Sequence, residues 1–270
     1  MNQSSIDGES LTIEQAIAHL QQRDDSSRRY YAAWWLGRFR VSQTAAVDAL
    51  LDALNDDLDR SPDGGYPLRR NAARALGKLG DRRAVIPLIE CLDCSDYYVR
   101  EAAAQSLEEL GDPGCAAALQ ALLVGGADDI ECVPGTPHLA QPYEAIIEAL
   151  GTLGIETAIP QIQPFLDHAV PKIRYAAARA LYQITHDSIY GEQLVQALRG
   201  GDLQLRRSAL MDLGAVGYLP AAEAIAQTHA ENSLKLIALK GLLETQMHQT
   251  DSPDLSDGAM HVMTLMDTLL

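Results

Sequence analysis

The chain has 270 residues, too many for one ordinary compact domain and enough for two domains or one extended array. Hydrophobic residues make up 47% but aromatics only 5%, so alanine and leucine dominate the apolar share, a bias that suits packed helices better than sheets. The 21 Lys and Arg against 37 Asp and Glu give a formal charge of -16, which offers no general positive field to nucleic-acid phosphates.

The amino terminus, MNQSSIDGESLTIEQ, lacks the basic and apolar stretches of a secretory signal, and no run of about 18 apolar residues predicts a membrane span. Four cysteines in such a chain read as reduced thiols of a cytoplasmic protein. A first helix is predicted at Ile13-EQAIAHL. After it, one pattern recurs. Leu68-RRNAARALGKLG-Asp81, Val99-REAAAQSLEELG-Asp112, Tyr143-EAIIEALGTLG-Ile155 and Leu205-RRSALMDLGAVG-Tyr218 are clear copies. Arg28-RYYAAWWLGRF-Arg40, Ile173-RYAAARALYQI-Thr185 and Leu234-KLIALKGLL-Glu244 are degenerate ones.

Aligned on one leucine, the copies fall at Leu36, Leu76, Leu107, Leu150, Leu181, Leu213 and Leu242, with gaps of 40, 31, 43, 31, 32 and 29 residues. A period near thirty holds two short helices and two turns. The predicted fold is therefore all-α: a right-handed α-solenoid of HEAT-like (armadillo-type) helical repeats, about seven in number. The second helices are expected near 28–40, 68–80, 99–111, 142–154, 173–185, 205–217 and 234–244. First helices are apolar runs such as Val85-IPLIECL-Asp93 and Ala158-IPQIQPFL-Asp167, with Pro87 and Pro160 near their first turns. Gly80-Asp81 and Gly111-Asp112 end one helix and cap the next. The two long gaps are surface insertions, Asp56-DLDRSPDGGY-Pro67 and Gly125-GADDIECVPGTPHLAQP-Tyr143. A polar linker over 245–257 then leads to an amphipathic helix at 258–270, with Met260, Met263, Met266 and Leu270 on one stripe. That helix either caps the last repeat or docks on another protein.

Repeats control for one another. One column reads Arg29, Arg69, Arg100, Tyr143, Arg174, Arg206 and Lys235, and Asp25, Asp96, Asp202 and Glu231 stand four residues before it. This predicts a structural ladder between stacked repeats, in which each Arg satisfies neighbouring carboxylates or carbonyls. Two other columns occupy the exposed stripe. They read Tyr30, Arg70, Glu101, Glu144, Tyr175, Arg207, Leu236, and Trp34, Arg74, Gln105, Glu148, Arg179, Met211, Lys240. Tyr30 and Trp34 thus share a helix face at i and i+4, and Arg70 and Arg74 take the equivalent face of the next helix. A large aromatic where sibling repeats put charge suggests a binding surface; the alternative is that Trp34 caps the array under the first helix. Trp35 is expected to pack against that helix. If the second helices line the concave face, aromatic rings beside arginines suit a flat, conjugated, anionic ligand.

Cys91 and Cys94 form a lone CxxC, and Cys115 and Cys132 form no second pair, so no metal site is expected. Cys132 and His138 share the long insert, where a Cys–His nucleophile pair is conceivable. No glycine-rich phosphate loop is present.

Tyr30-YAAWWLGRF-Arg40, Tyr66-PLRRNAARALGKLG-Asp81 and Cys91-LDCSDYYVREAAAQSLEELG-Asp112 resemble the E subunits of the heterodimeric E/F-type phycobilin lyases. The likeness runs through essentially the whole chain and is sharpest between residues 28 and 112. It implies a cyanobacterial, cytoplasmic enzyme that works with an F-type partner subunit. The pair would attach phycocyanobilin by a thioether to a cysteine of apo-phycocyanin α. The acceptor thiol adds to the exocyclic ethylidene of the bilin A ring, so the resemblance implies no required cofactor, with phycocyanobilin bound as substrate. Trp34 and Tyr30 would then stack on the pigment, Arg70 and Arg74 pair with its propionates, and Tyr97, Tyr98 and Glu101 shape the next section. Glu101 is the candidate catalytic carboxylate, stabilising a protonated, more electrophilic bilin. A non-catalytic HEAT-like scaffold for phycobiliprotein turnover, a plain interaction solenoid, and a sister lyase with a different bilin or acceptor remain alternatives.

Overall fold

The computed structural model describes residues 11–249 and 255–270, and every regular element among them is helical. The chain divides into two compact units, one ending at Leu119 and the other beginning at Gln120.

The first unit contains α1 (Ile13–Gln21), α2 (Ser26–Arg38), α3 (Thr44–Ala53), α4 (Pro67–Leu79), α5 (Val85–Cys91) and α6 (Tyr97–Leu110); α7 (Ala116–Ala121) lies across the division. α1 packs on α2, α3 on α4 and α5 on α6, while α2, α4 and α6 also pack side by side. These are helix-pair repeats of the HEAT type. Their buried faces are mostly alanine and leucine: Ala32, Ala33, Leu36, Ala72, Ala73, Leu76, Ala102, Ala103 and Leu107 are all fully buried. Small residues let the second helices approach closely. A Cβ on Gly37 would lie 2.8 Å from the Ala75 Cα, and one on Gly77 would lie 2.8 Å from the Ser106 Cβ.

Turn chemistry sets the ends. A capping box of Thr12 and Gln15 opens α1. Asp25 accepts from the Arg28 amide at 3.0 Å, and Asp96 from the Tyr98 amide at 2.8 Å. Gly80 and Gly111 close α4 and α6 at φ 72° and 65°, where an L side chain would be strained. Three of the acidic residues expected in a ladder, Asp25, Asp96 and Asp202, are therefore helix N-caps. The sequence spacing concealed this because the helices begin earlier than the repeat alignment suggests, at Ser26, Tyr97 and Leu203.

The column cations do something related at the other end of each preceding element. Arg29 donates to the Leu20 carbonyl at 3.1 Å, Arg100 to Cys94 at 2.6 Å, Arg174 to His168 at 2.7 Å, and Arg206 to Gly200 at 2.6 Å. Arg69 reaches the Asp56 carbonyl at 2.5 Å, and Lys235 the Ala226 carbonyl at 3.1 Å. These carbonyls lie at or just beyond the carboxyl ends of first helices, which leave acceptors unpaired. So the ladder works mainly inside each repeat and not between repeats as the spacing suggested. Arg29 and Arg206 also reach into the next repeat, through Asp56 at 2.7 Å and the His229 carbonyl at 3.2 Å.

The second unit holds α8 (Tyr143–Thr152), α9 (Ile159–Ile162), α10 (Pro171–Thr185), α11 (Ser188–Ala197), α12 (Leu203–Val216), α13 (Ala222–Gln227), α14 (Asn232–Gln249) and α15 (Asp257–Asp267). α8, α10, α12 and α14 follow one another as packed second helices. The predicted helix over 158–167 is instead short α9 followed by a 3-10 segment, Gln163–Asp167. Pro164 supplies the reason, since its missing amide cannot continue an α-helix. Tyr143 stands where sibling repeats carry a cation; its buried hydroxyl donates to Asp129 at 3.1 Å and ties the long insert to α8.

α14 runs five residues into the stretch that composition reads as linker, and residues 250–254 of that stretch lie outside the described ones. α15 packs on α13 and α14, so it caps the last repeat. It buries Ala259 and Val262, while Met260 and Met263 of the predicted stripe stay exposed. The hydrophobic spacing had two solutions one residue apart, and the smaller side chains took the close contact.

Candidate functional site

All seven residues proposed to bind ligand lie in the first unit, on α2, α4 and α6. Tyr30 and Trp34 are 38% and 44% exposed, so neither is sealed under the first helix, and the capping alternative for Trp34 falls. The Trp34 ring rests against Tyr31, with centroids 5.5 Å apart and planes tilted by 32°. Tyr31, itself exposed, is a surface aromatic that column reading missed; its i, i+3 spacing to Trp34 was the available signal. Trp35 is half-buried and its ring meets Phe39 at a tilt of 47°, with centroids 4.8 Å apart. In later repeats this column presses on a preceding second helix, as Ala75 does on Gly37; α2 has none before it among the described residues, which leaves room for an indole.

On α4, Asn71 is buried and its amide donates to the Tyr30 carbonyl at 3.2 Å, fixing the register between α2 and α4. The Arg70 guanidinium lies 5.7 Å from the Tyr98 ring centre, and its Nε is buried without a hydrogen-bond partner. A buried donor left unpaired costs about 1–3 kcal/mol, so this atom has an unmet affinity for an acceptor. Arg74 is exposed, and its Nη2 faces the Glu101 carboxylate on α6 at 3.7 Å. Tyr97 and Tyr98 meet edge to face at 5.4 Å at the start of α6. The guanidinium of Arg100 lies 5.9 Å from the Tyr97 ring centre, although Arg100 belongs to the carbonyl-binding column. Asp96 joins the two helix starts, accepting from the Tyr66 amide at 2.6 Å as well as from Tyr98.

The arrangement is thus a half-exposed face with aromatic rings on α2, two guanidinium groups on α4, and tyrosines with a carboxylate on α6. Rings of a flat conjugated molecule can stack on the first part, its acidic groups can meet the second, and its N–H groups can meet Glu101.

None of the four thiols belongs to this set. Cys91 and Cys115 are buried, Cys94 is half-buried and Cys132 exposed, and all four are free. Burial pushes the Cys91 thiol up to about 12, with Cys94 adding to the effect, and burial raises Cys115 too. Neither is a nucleophile at neutral pH. His138 directs its Nδ1 at the Leu139 carbonyl at 2.9 Å. Among the described residues no group of three or more metal-binding side chains converges, and no helix is long and apolar enough to cross a membrane.

Models of HEAT repeats match residues 13–108 and 58–131, and the PBS lyase HEAT-like repeat matches 142–168 and 173–200. The phycocyanobilin lyase subunit alpha of Picosynechococcus sp. is 62% identical over 262 residues, covering 97% of both chains. The chain belongs to the phycocyanobilin lyase alpha subunit family. A second member, from Synechococcus elongatus, is 58% identical over the full length of both chains. The structure of the complex of CpcE and CpcF of phycocyanin lyase from Nostoc sp. PCC7120 contains a chain that superposes with a TM-score of 0.88 at 62% identity, covering 98% of this chain and 97% of that one. The bilin biosynthesis protein PecE of Nostoc sp. is 45% identical over 88% of both chains, a more distant likeness than the phycocyanobilin lyase alpha subunits show.

Proposed function

We propose that the chain is the E-type half of a heterodimeric lyase that acts in the cytoplasm. With an F-type partner it attaches phycocyanobilin through a thioether to a cysteine of the phycocyanin α subunit. Identity near 62% along almost the whole chain to phycocyanobilin lyase alpha subunits carries this reading. It favours a lyase over a turnover scaffold or a pigment-free interaction module.

The proposed pigment face is the second-helix surface of the first unit. Tyr30 and Trp34, with Tyr31 bracing the indole, hold ring faces of the open-chain tetrapyrrole. Arg70, whose Nε lacks an acceptor, and Arg74 receive the two propionates. Tyr97 and Tyr98 flank the next section. Glu101 stands where pyrrole N–H groups would pass and favours the protonated pigment. Because Arg74 and Glu101 already face each other, a propionate arriving at Arg74 would free Glu101 toward the nitrogens.

The bond-forming step needs little else from this chain. The acceptor thiolate sulfur adds to the ethylidene carbon outside ring A, the carbon–carbon double bond opens toward the ring, and the ring carbon takes up a proton. The formal S–H is added across C=C with no oxidant and no leaving group. Holding a flexible tetrapyrrole in one conformation, with one carbon open to the incoming sulfur, is a task of positioning.

Reconstitution tests the reading. The purified chain is mixed with free phycocyanobilin, an F-type subunit and apo-phycocyanin α. A covalent, fluorescent α subunit that survives denaturation is expected. Pigment binding without covalent product would favour the scaffold instead, and no pigment binding would overturn both.

A further inference from the structure

The second unit holds a cavity of about 400 Å3 on its own second helices, lined by none of the residues of the proposed pigment face. Its walls come from α8, α10, α12 and the start of α14, and include Glu144, Glu148, Tyr175, Arg207, Met211 and Asp212. Five of these six belong to the two exposed columns of the repeat, so the stripe that is aromatic and basic in the first unit has become a recess with carboxylates.

The charges inside do not balance. The Arg179 Nη1 atom is shared between Glu148 at 3.4 Å and Asp212 at 3.2 Å, so one guanidinium serves two carboxylates. Arg207 lines the cavity but is engaged by the Glu231 carboxylate through its Nε and Nη2 atoms. Lys172 also lines the cavity; it is exposed and forms no ion pair among the described residues. Glu144 is half-buried and makes no hydrogen bond or ion pair among the described residues. Burial pushes the Asp212 carboxyl up to about 6 against the pull of Arg179, with Glu144 adding to the rise. A half-buried carboxylate beside a second one is unfavourable until a cation joins it.

We propose that this cavity receives the guanidinium of an arginine presented by a protein partner, forked onto Glu144 with its flat face against Tyr175. A guanidinium suits the lining better than an ammonium: it is planar, weakly hydrated and stacks on aromatic rings. Its methylene stem matches the apolar remainder of the wall, Met211 and Leu234. The surplus of negative charge on the chain would also speed the approach of a basic surface. The inference uses only second-unit residues, so it stands or falls separately from the pigment face.

The test uses the full chain with isotope-labelled methionine methyl groups, titrated with N-acetyl-arginine amide and followed by NMR. The Met211 methyl is expected to shift and saturate in the millimolar range, while Met260 and Met263 on α15 stay put. The neutral isostere N-acetyl-citrulline amide should leave Met211 unmoved. Glu144→Gln, with unchanged helical circular dichroism, should weaken the arginine effect about 10-fold, the scale of a lost charge-assisted hydrogen bond. An unmoved Met211, or equal shifts from arginine and citrulline, overturns the proposal on the unaltered chain. Undiminished binding by Glu144→Gln overturns the role of Glu144.

Discussion

Glu101 has two claims on it, the Arg74 guanidinium 3.7 Å away and the pigment nitrogens it is proposed to meet. If its charge matters only in the reacting state, Glu101→Gln should leave pigment affinity near the parent value and slow ligation about 100-fold, the usual size of a lost proton-handling group. Absorbance titration gives the first quantity and single-turnover ligation the second; an unchanged rate removes Glu101 from the chemistry. Asp212 gives a separate test at the same scale. Its carboxyl sits at about 6 in the folded chain against 3.8 for the free group, so the folded state holds its proton longer than the unfolded one. Its stabilising share is complete below pH 4 and is lost as pH rises through 6, a change of about 2–3 kcal/mol at about 1.4 kcal/mol per unit. Denaturation of the parent and of Asp212→Asn across this range should show the parent losing ground to the variant; parallel profiles would contradict the burial argument. Serine at Cys91, Cys94, Cys115 and Cys132 together should leave ligation intact, because two of these thiols are buried and hard to ionise and the attacking sulfur belongs to the acceptor. Loss of ligation in a folded variant would point to a thiol relay.

Element packing depends on what is missing from the side chains. Gly77 lets α4 press on Ser106 of α6, and a Cβ there would sit 2.8 Å from the serine Cβ and 2.9 Å from its backbone. Gly77→Ala should therefore destabilise the first unit by about 1–3 kcal/mol despite the better helix propensity of alanine. Chemical denaturation measures this, and a stabilised variant would show that the close approach is not required. The helices themselves were legible because a leucine recurs at a near-constant interval and glycines mark their ends. Caps next to a glycine were legible too, and Asp81 and Asp112 do cap the turns that follow Gly80 and Gly111; the N-caps of the second helices were not, since a period fixes spacing but not phase, and Asp25 and Asp96 read as ladder acids. The broken helix at Pro164 and the buried face of α15 escaped for a similar reason, each sequence pattern having two close structural solutions. In the site, exposure of Tyr30 and Trp34 followed from comparing repeats. The Arg74–Glu101 contact and the orphaned Arg70 Nε did not, because they depend on how neighbouring helices are stacked.

Across the molecule, basic residues are scarce and many are spoken for. Arg29, Arg69, Arg100, Arg174, Arg206 and Lys235 all donate to main-chain carbonyls, so the charge left for ligands is smaller than the composition implies. That makes Arg70 and Arg74, on an exposed helix face beside two aromatic rings, unusual among the cations of this chain. The central claim is that this face holds the pigment while the sulfur comes from the acceptor. The most direct measurement is phycocyanobilin transfer to apo-phycocyanin α by the Tyr30→Ala, Trp34→Ala double variant with its F-type partner, alongside far-UV circular dichroism. Both side chains are surface groups, so helical content should match the parent while covalent pigment attachment disappears. Transfer at the parent rate would contradict the assignment.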